Sequence, residues 1–465
     1  MKRRLLPILM TLVLVCALPI WAAFVTSGDV TNPLVSTTWA TLPDLQGMID
    51  HANAGATITL NSNTEIAATL QITKNLTLDL NGCTLRMTGT GSVLKVSGRA
   101  TLTIQDSSAE GTGTITGGNA EYGGGVYVEA YAALEMTGGC ITGCRADEDG
   151  GGVYVDDYAA LKMTGGCITG CRAEDGGGVY IDHNATLKMT GGCITDCHAS
   201  YGGGGIFSYE NLYMSGTAKI EKCTSKWGSD DAIWNRESCN IYADGGTVDG
   251  TVNNQGTIRR SEGAAAETVF NGTVYNRSAG TIIAGRYNGT VENNGTITNG
   301  TITGGTFWGT VTNKKSAWGN AAGTISGGTF YSSIVNEAGP EQVTGVTFAV
   351  TFDIGDGTKT EPTLVEYNNP VPERAAPTKS GHTFTGWYLG EEKYNFDTPV
   401  TAPLTLTAKW EKVPSSGGNY YYHPTTDTKA DDTKGSPKTA DPGVALYAAL
   451  SLLSLTGLTC TTKKR

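Results

Sequence analysis

Gly123-Gly-Gly-Val-Tyr127 returns as Gly150-Gly-Gly-Val-Tyr154 and Gly176-Gly-Gly-Val-Tyr180, and more loosely as Gly203-Gly-Gly-Ile-Phe207. Between these lie Leu134-Glu-Met136, Leu161-Lys-Met163, Leu187-Lys-Met189 and Leu212-Tyr-Met214, each followed by Thr-Gly or Ser-Gly. The period is 26 to 27 residues, in the range of solenoids. Within a unit the apolar residues alternate at spacing two, as in Val153/Val155 and Leu161/Met163, which is a strand period and not the 3.6 of a helix. No unit holds enough apolar residues for a core of its own. The units must therefore stack and share a ladder of Leu, Met, Val and Ile, with glycine supplying the sharp corners.

The flanks continue this theme. Ala56-Thr-Ile-Thr-Leu60, Leu70-Gln-Ile72, Leu76-Thr-Leu-Asp-Leu80 and Thr101-Leu-Thr-Ile104 alternate upstream. Downstream, Phe270-Asn-Gly-Thr-Val274, Tyr287-Asn-Gly-Thr-Val291, Phe307-Trp-Gly-Thr-Val311 and Phe330-Tyr-Ser-Ser-Ile334 recur at 17 to 23 residues. Periods that vary within one array suit a solenoid with variable loops and disfavour a propeller with fixed blades. Ahead of the array, Leu42, Leu45, Met48 and Ile49 mark one helical face after Thr41, with Asp44 in the first turn. A short helix there would cover the first coil and blunt its open edge. Residues 41–340 resemble the right-handed parallel β-helix of the pectin-lyase-like superfamily, in the Gly/Thr-rich versions of bacterial surface proteins.

Val350-Thr-Phe-Asp353, Gly381-His-Thr-Phe-Thr-Gly-Trp-Tyr388, Phe396-Asp-Thr-Pro-Val-Thr401 and Leu404-Thr-Leu-Thr-Ala-Lys-Trp410 follow. They read as short strands separated by Pro/Gly/Asp turns, with Trp387, Tyr388, Phe396 and Trp410 centring a small core. Residues 345–412 closely resemble the Listeria–Bacteroides repeat, the B-repeat of internalins. The resemblance implies a ubiquitin-like β-grasp fold and, most often, a stalk or spacer role.

The ends carry an address. Lys2, Arg3 and Arg4 precede an apolar run from Leu5 to Trp21 and then Ala22-Ala23, the pattern of a secretory signal peptide over 1–23. Residues 413–435 are a polar, Pro/Thr/Asp-rich spacer expected to be unfolded. Then come Ser436-Pro437-Lys438-Thr439-Ala440, an apolar span over 444–462 and Lys463-Lys464-Arg465. The span is long enough to cross a bilayer, and the terminal cations hold it on the cytoplasmic side. This order resembles the Leu-Pro-x-Thr-Gly cell-wall sorting signal of Gram-positive surface proteins. Pro437 and Thr439 match, whereas Ser436 replaces Leu and Ala440 replaces Gly. The resemblance implies cleavage by a sortase after the threonine and attachment to peptidoglycan. A plain C-terminal membrane anchor is the alternative. The expected fold class is thus all-β: a right-handed parallel β-helix, a small β-grasp-like module, a signal helix and a transmembrane helix.

The 465 residues include 64 glycines without a Gly-X-Y period, so the chain is not collagen. Its 33 basic and 44 acidic residues leave a net charge of −11, the wrong sign for a nucleic-acid surface. Setting aside both terminal segments (1–23 and 440–465), which hold six basic residues and one acidic, lowers the charge to −16.

Chemistry is sparse. Pectate lyases and polygalacturonases share the resembling fold, and their sites gather Asp with Lys or Arg in one groove, for Ca²⁺ or acid–base work. Here Asp147, Glu148, Asp149, Asp156, Asp157, Glu174, Asp175 and Asp182 are the acidic candidates. Stacking would align Asp149 with Asp175 and Asp156 with Asp182, offering either a Ca²⁺-stabilised acidic ladder or solvated loops. The repetition is that of loop decoration, since a catalytic site is usually unique. Cysteines form two further columns, Cys140, Cys167 and Cys193, and Cys144, Cys171, Cys197 and Cys223. Stacked neighbours fall within disulfide reach in an oxidising compartment, while small buried hydrophobes are the reading we lean to. Sequons such as Asn271-Gly-Thr273 read as Asn-Gly turns. The expectation is a secreted, non-catalytic adhesin or ligand-binding protein of the cell surface, presenting its β faces to a glycan or a host or matrix protein. The competing readings are a polysaccharide lyase or hydrolase on the same scaffold and a purely structural envelope component.

Overall fold

A computed structural model describes residues 23–26 and 44–414, apart from 227–230, 278, 295–300 and 315–322. The described elements belong to a unit that ends at Val413. The signal segment 1–22, nearly all of the spacer and the whole of the sorting motif and apolar span lie outside the described residues. Among the described residues no helix is long and apolar enough to cross a membrane.

The fold is all-β and its strands stack in parallel from coil to coil. One ladder has 12 strands, from Leu70–Ile72 through Val126–Val128, Val153–Val155, Val179–Ile181 and Ile206–Ser208 to Ile334–Asn336. Ala133–Met136 and Cys140–Thr142, with their equivalents, build two more faces, and a five-stranded ladder runs from Asn119–Ala120 to Thr224–Ser225. Register is strict: Val126 pairs with Val153 and Val153 with Val179. Because side chains alternate, strict register turns each inward position into a column along the coils. The column Leu85, Ile115, Ile141, Ile168, Ile194 and Ile220 is buried throughout.

The triple glycines make the close corners. Gly150 sits at φ 68°, and a Cβ on Gly151 would stand 2.3 Å from the Arg172 carbonyl oxygen. Neither position admits another residue without moving backbone.

Beyond Thr224–Ser225 the five-stranded ladder ends and the coils shorten. Two changes accompany this. The inward column continues as Phe270, Tyr287, Phe307 and Phe330, with rings 5.0, 4.9 and 4.7 Å apart. On the 12-stranded ladder, the column Ile72, Val96, Val128, Val155 and Ile181 passes through Ser208 to Asn235, Asn254, Asn276, Asn293, Asn313 and Asn336. The first five of these asparagines each donate an amide N–H to the side-chain oxygen of the next, at 2.8 Å from Asn235 to Asn313 and 3.1 Å onto Asn336, and Asn336 donates to the Gly339 carbonyl at 2.6 Å. A buried amide needs partners for both ends, and the ladder supplies them between its members, while the Asn235 Oδ1 at its start has no partner among the described residues.

Both ends of the stack are covered. The helix spans Leu45–His51, and Asp44 is its N-cap, accepting from the Gly47 N–H at 2.8 Å. The expected start after Thr41 is therefore corrected, since a carboxylate satisfies the first turn best from the cap position. Leu45 and Ile49 are buried. The Gln46 side-chain amide pairs with the Gln71 backbone, donating to its carbonyl at 3.1 Å and accepting from its N–H at 2.8 Å. It thus stands in for a missing strand at the open edge. Ala23–Thr26 runs antiparallel to Thr57–Leu60 on a neighbouring face.

At the far end Thr347–Asp353 closes the last coil and also begins the aromatic module. Phe330 pairs with Phe348, while Val350–Asp353 pairs in parallel with Leu404–Thr407. Thr363–Glu366 and His382–Leu389 complete the sheet in antiparallel pairings. No helix lies between its strands; Pro370, Pro372 and Pro377 withhold the donors one would need. One expectation for this module is corrected: Tyr388 is not central. Alternation puts it opposite the buried Trp387, under Lys409 at 4.6 Å, and Phe352 and Phe384 pack edge-on against Trp387 instead. The Trp410 indole N–H donates to the Ile354 carbonyl at 2.8 Å.

Candidate functional site

On the 12-stranded ladder the residue between the two inward columns points outward. Through the regular coils this column reads Gln71, Lys95, Tyr127, Tyr154, Tyr180, Phe207 and Trp234. Tyr127, Tyr154, Tyr180 and Phe207 stack with centroids 5.3, 5.2 and 5.5 Å apart and planes within 12°. Stacked this way the rings cover one another's faces, and Tyr154 and Phe207 are buried. At the Tyr127 end Lys95 stands 5.2 Å from the ring centroid, held by Glu129 at 3.2 Å, and at the other end Trp234 stacks on Phe207 at 6.2 Å. Tyr122 leans on Tyr154, and Tyr209 on Phe207 with Arg236 above it at 4.9 Å.

Aspartates flank the rings in register. Asp156 accepts from the Tyr127 hydroxyl at 2.8 Å and Asp182 from the Tyr154 hydroxyl at 2.7 Å. Each also accepts the N–H of the residue that follows it. Partial burial works against the charge on Asp182, but Tyr154 and His183 outweigh it and hold the carboxyl below its usual range. The expected Asp156/Asp182 pair is thus committed to tyrosine hydroxyls.

Asp149 and Asp175 are bridged directly, strand to strand. Burial, then the charges of Asp175, Glu148, Glu174 and Asp182, push Asp149 up to about 7. Burial also raises Asp175, against the Gly202 N–H that donates to it at 2.8 Å. Among the described residues no group of three or more His, Cys, Asp or Glu side chains converges as a metal site.

A cavity of about 480 Å³ opens at the Tyr127 end of the column. Its walls include Gln71, Lys95, Asn119, Glu121, Tyr122 and Tyr127. It forms where the five-stranded ladder begins at Asn119–Ala120; the preceding coil meets that strand through one antiparallel bridge, Gly91 to Asn119, and not through a parallel strand. The Tyr122 hydroxyl donates to Glu148 at 2.6 Å, a bond that lifts its pKa to about 12. A second cavity of about 450 Å³, bounded by Glu221, Lys222, Asp249 and Asn271 among others, has no aromatic wall.

The cysteine columns differ. Cys140 and Cys167 form a disulfide with Cα atoms 4.6 Å apart, so the leaning towards reduced columns does not hold for this pair. Cys193 is free and half-buried, while Cys144, Cys171, Cys197 and Cys223 are buried thiols.

Comparison with known proteins adds one domain. Residues 348–409 match the Listeria-Bacteroides repeat domain. Two proteins of Evansella cellulosilytica with membrane-protein names are 35% and 37% identical over 80 and 68 residues. Internalin H of Listeria monocytogenes is 34% identical over 100 residues. These alignments cover 16%, 14% and 20% of this chain and only 11%, 8% and 17% of the relatives' own length. No solved structure matches. The similarities point to a location at the cell envelope or surface.

Sequence reasoning found the tyrosine and cysteine repeats. It missed Asp231, which is buried and accepts from the Gly203 N–H at 3.0 Å and the Asn253 amide at 3.1 Å. It also missed the cavity. The only available signal was the change in coil length before Asn119.

Proposed function

We propose that the chain is a non-catalytic ligand-binding protein of the bacterial cell surface, an adhesin, and that it takes glycan at the cavity beside Tyr127. The carrying observation is the conjunction at that cavity: aromatic rings beside hydrogen-bond donors and acceptors of both charges within about 480 Å³. Small-molecule sites have this size, and a wall richer in polar groups than most suits a ligand covered in hydroxyls. Sugars offer C–H faces to a ring and hydroxyls that both donate and accept. The anionic surroundings, Glu121, Asp147 and Glu148, favour neutral sugars over acidic ones. At the C-terminus, Ser436 to Ala440 would serve a sortase, joining Thr439 to peptidoglycan, with residues 444–462 holding the precursor in the membrane.

The test is a screen of the purified chain against neutral and acidic glycans and host-matrix proteins, with reducing-end release read in the same wells. Binding of a neutral glycan that falls at least ~10-fold in Lys95→Ala or Tyr122→Ala, with unchanged circular dichroism, supports the reading. Binding that both variants leave untouched moves the site elsewhere. No binding on any panel favours a structural envelope component.

One observation favours a second reading, a polysaccharide lyase or hydrolase. Asp149, carrying a proton near neutrality beside Asp175, has the character of a general acid. Sugar release that Asp149→Asn abolishes would overturn the non-catalytic proposal.

A further inference from the structure

Three cysteines share the outward column: Cys140 is in register with Cys167, and Cys167 with Cys193. Only two can be joined at once. The bond links Cys140 to Cys167, with Cys193 left as a thiol. Adjacent strands lie about 4.8 Å apart, so Cys193 stands to Cys167 as Cys140 does, inside the Cα window for a bridge. All three side chains are half-buried and reachable. The inner column offers no such access, for its thiols are buried against the glycine corners. A Cβ on Gly152 would already meet the Cys171 sulfur at 3.4 Å.

The column also supplies the line of attack. Exchange at a disulfide needs the entering sulfur opposite the leaving one across the central sulfur. Cys193 and Cys140 come from the two coils on either side of Cys167.

We propose that the disulfide migrates along this column. The Cys193 thiolate attacks the Cys167 sulfur, the Cys167–Cys193 bond forms as the Cys140–Cys167 bond breaks, and Cys140 leaves as a thiolate that takes up the proton Cys193 gave up. One disulfide and one thiol exist before and after, so no oxidant or reductant is consumed. Chain entropy hardly chooses between the isomers, because the loops closed span 27 and 26 residues. The free thiol therefore appears at either end of the column, and a different pair of coils is stapled each time. Burial and the Glu221 carboxylate raise the Cys193 thiol pKa, against Lys219, so exchange accelerates with rising pH.

The experiment uses the full chain, held at pH 8.5 without added thiol, quenched with acid and N-ethylmaleimide, and mapped by tandem mass spectrometry. Wild type is expected to carry both linkages, in a ratio between about 1:10 and 10:1. Cys193→Ser should carry only Cys140–Cys167, and Cys140→Ser only Cys167–Cys193. After transfer from pH 6 to pH 8.5 the approach to the mixture should speed up by more than ~10-fold. Wild type with only the Cys140–Cys167 bond after a day at pH 8.5 would overturn the proposal. So would a Cys140→Ser protein whose Cys167 and Cys193 both stay alkylatable under oxidation while its circular dichroism is native.

Discussion

In the column that starts at Leu85, coils as far as Val248 contribute Leu, Ile or Val, and coils from Phe270 onward contribute Phe or Tyr. In the column that starts at Ile72, aliphatic residues give way through Ser208 to asparagine. The early coils stack their rings outside, as Tyr127, Tyr154 and Tyr180, whereas the late coils stack Phe270, Tyr287, Phe307 and Phe330 inside and keep a shorter outer pair, Trp308 on Tyr331. Coil length accounts for the inward rings. Coils with the extra strand bring in Cys144, Cys171, Cys197 and Cys223 from another side. Where that strand is lost, fewer side chains point inward, and larger ones must restore close packing. The asparagine ladder has a different logic. A polar residue is admitted to the interior where a hydrogen-bond partner meets it: the next amide in the column for the asparagines, and the Glu210 backbone for Ser208, whose other neighbour is Ile181.

The largest test of this contrast is Phe307→Ala, which opens a void between Tyr287 and Phe330. It should cost about 3–5 kcal/mol in urea unfolding, whereas Ile168→Val in the same column of the early half should cost about 1 kcal/mol. Equal costs would break the idea that the late coils depend on single large rings. Next is a swap between halves. Val155→Asn places an amide between Val128 and Ile181, which can offer it no hydrogen bond, and should cost about 2–3 kcal/mol. If it is tolerated, the need for a partner fails as the rule. Tyr154→Phe should cost about 1 kcal/mol through the lost bond to Asp182. It should also let the Asp182 carboxyl rise, visible by NMR titration.

A pH series sharpens the outer half further. Asp149 in the folded chain titrates at about 7, above its free value of 3.8, so the folded state holds that proton more tightly than the unfolded. The contribution is complete below about pH 4, is lost as pH rises through 7, and is flat beyond. The melting temperature should therefore drop by ~2–4 °C from pH 5 to pH 8, a modest change because the group is partly solvated. Asp149→Asn should flatten the drop. The smallest effect is expected for Tyr131→Ser on the exposed Tyr131–Tyr158 stack, within about 0.5 kcal/mol.

The stacking itself was legible because Gly-Gly-Gly-Val-Tyr repeats at nearly constant period, and period-two alternation told inward from outward residues. The asparagine ladder was not, although its trace is present in Val274-Tyr-Asn276, Val291-Glu-Asn293 and Val311-Thr-Asn313. A lone asparagine reads as solvent-facing until register shows another directly above it, and the Asn-Gly pairs nearby drew the reading towards turns. Tyr388 was misplaced for a related reason. Neighbouring Trp and Tyr on a strand must face opposite ways, and only one can be central. The Asp149–Asp175 alignment followed from period alone. The cavity did not, since it arises from a strand that one coil has and the coil before it lacks.

The strand Thr347–Asp353 belongs both to the last coil and to the repeat domain. It runs parallel to Leu404–Lys412, the last strand before Val413. Tension entering at residue 413 and resisted through the coils would pull these two strands past each other lengthwise. The hydrogen bonds from Val350–Asp353 to Leu404–Thr407 would then bear the load together instead of breaking in succession. The final fold element is thus arranged as a shear joint, suited to transmitting traction into the coils without unravelling them.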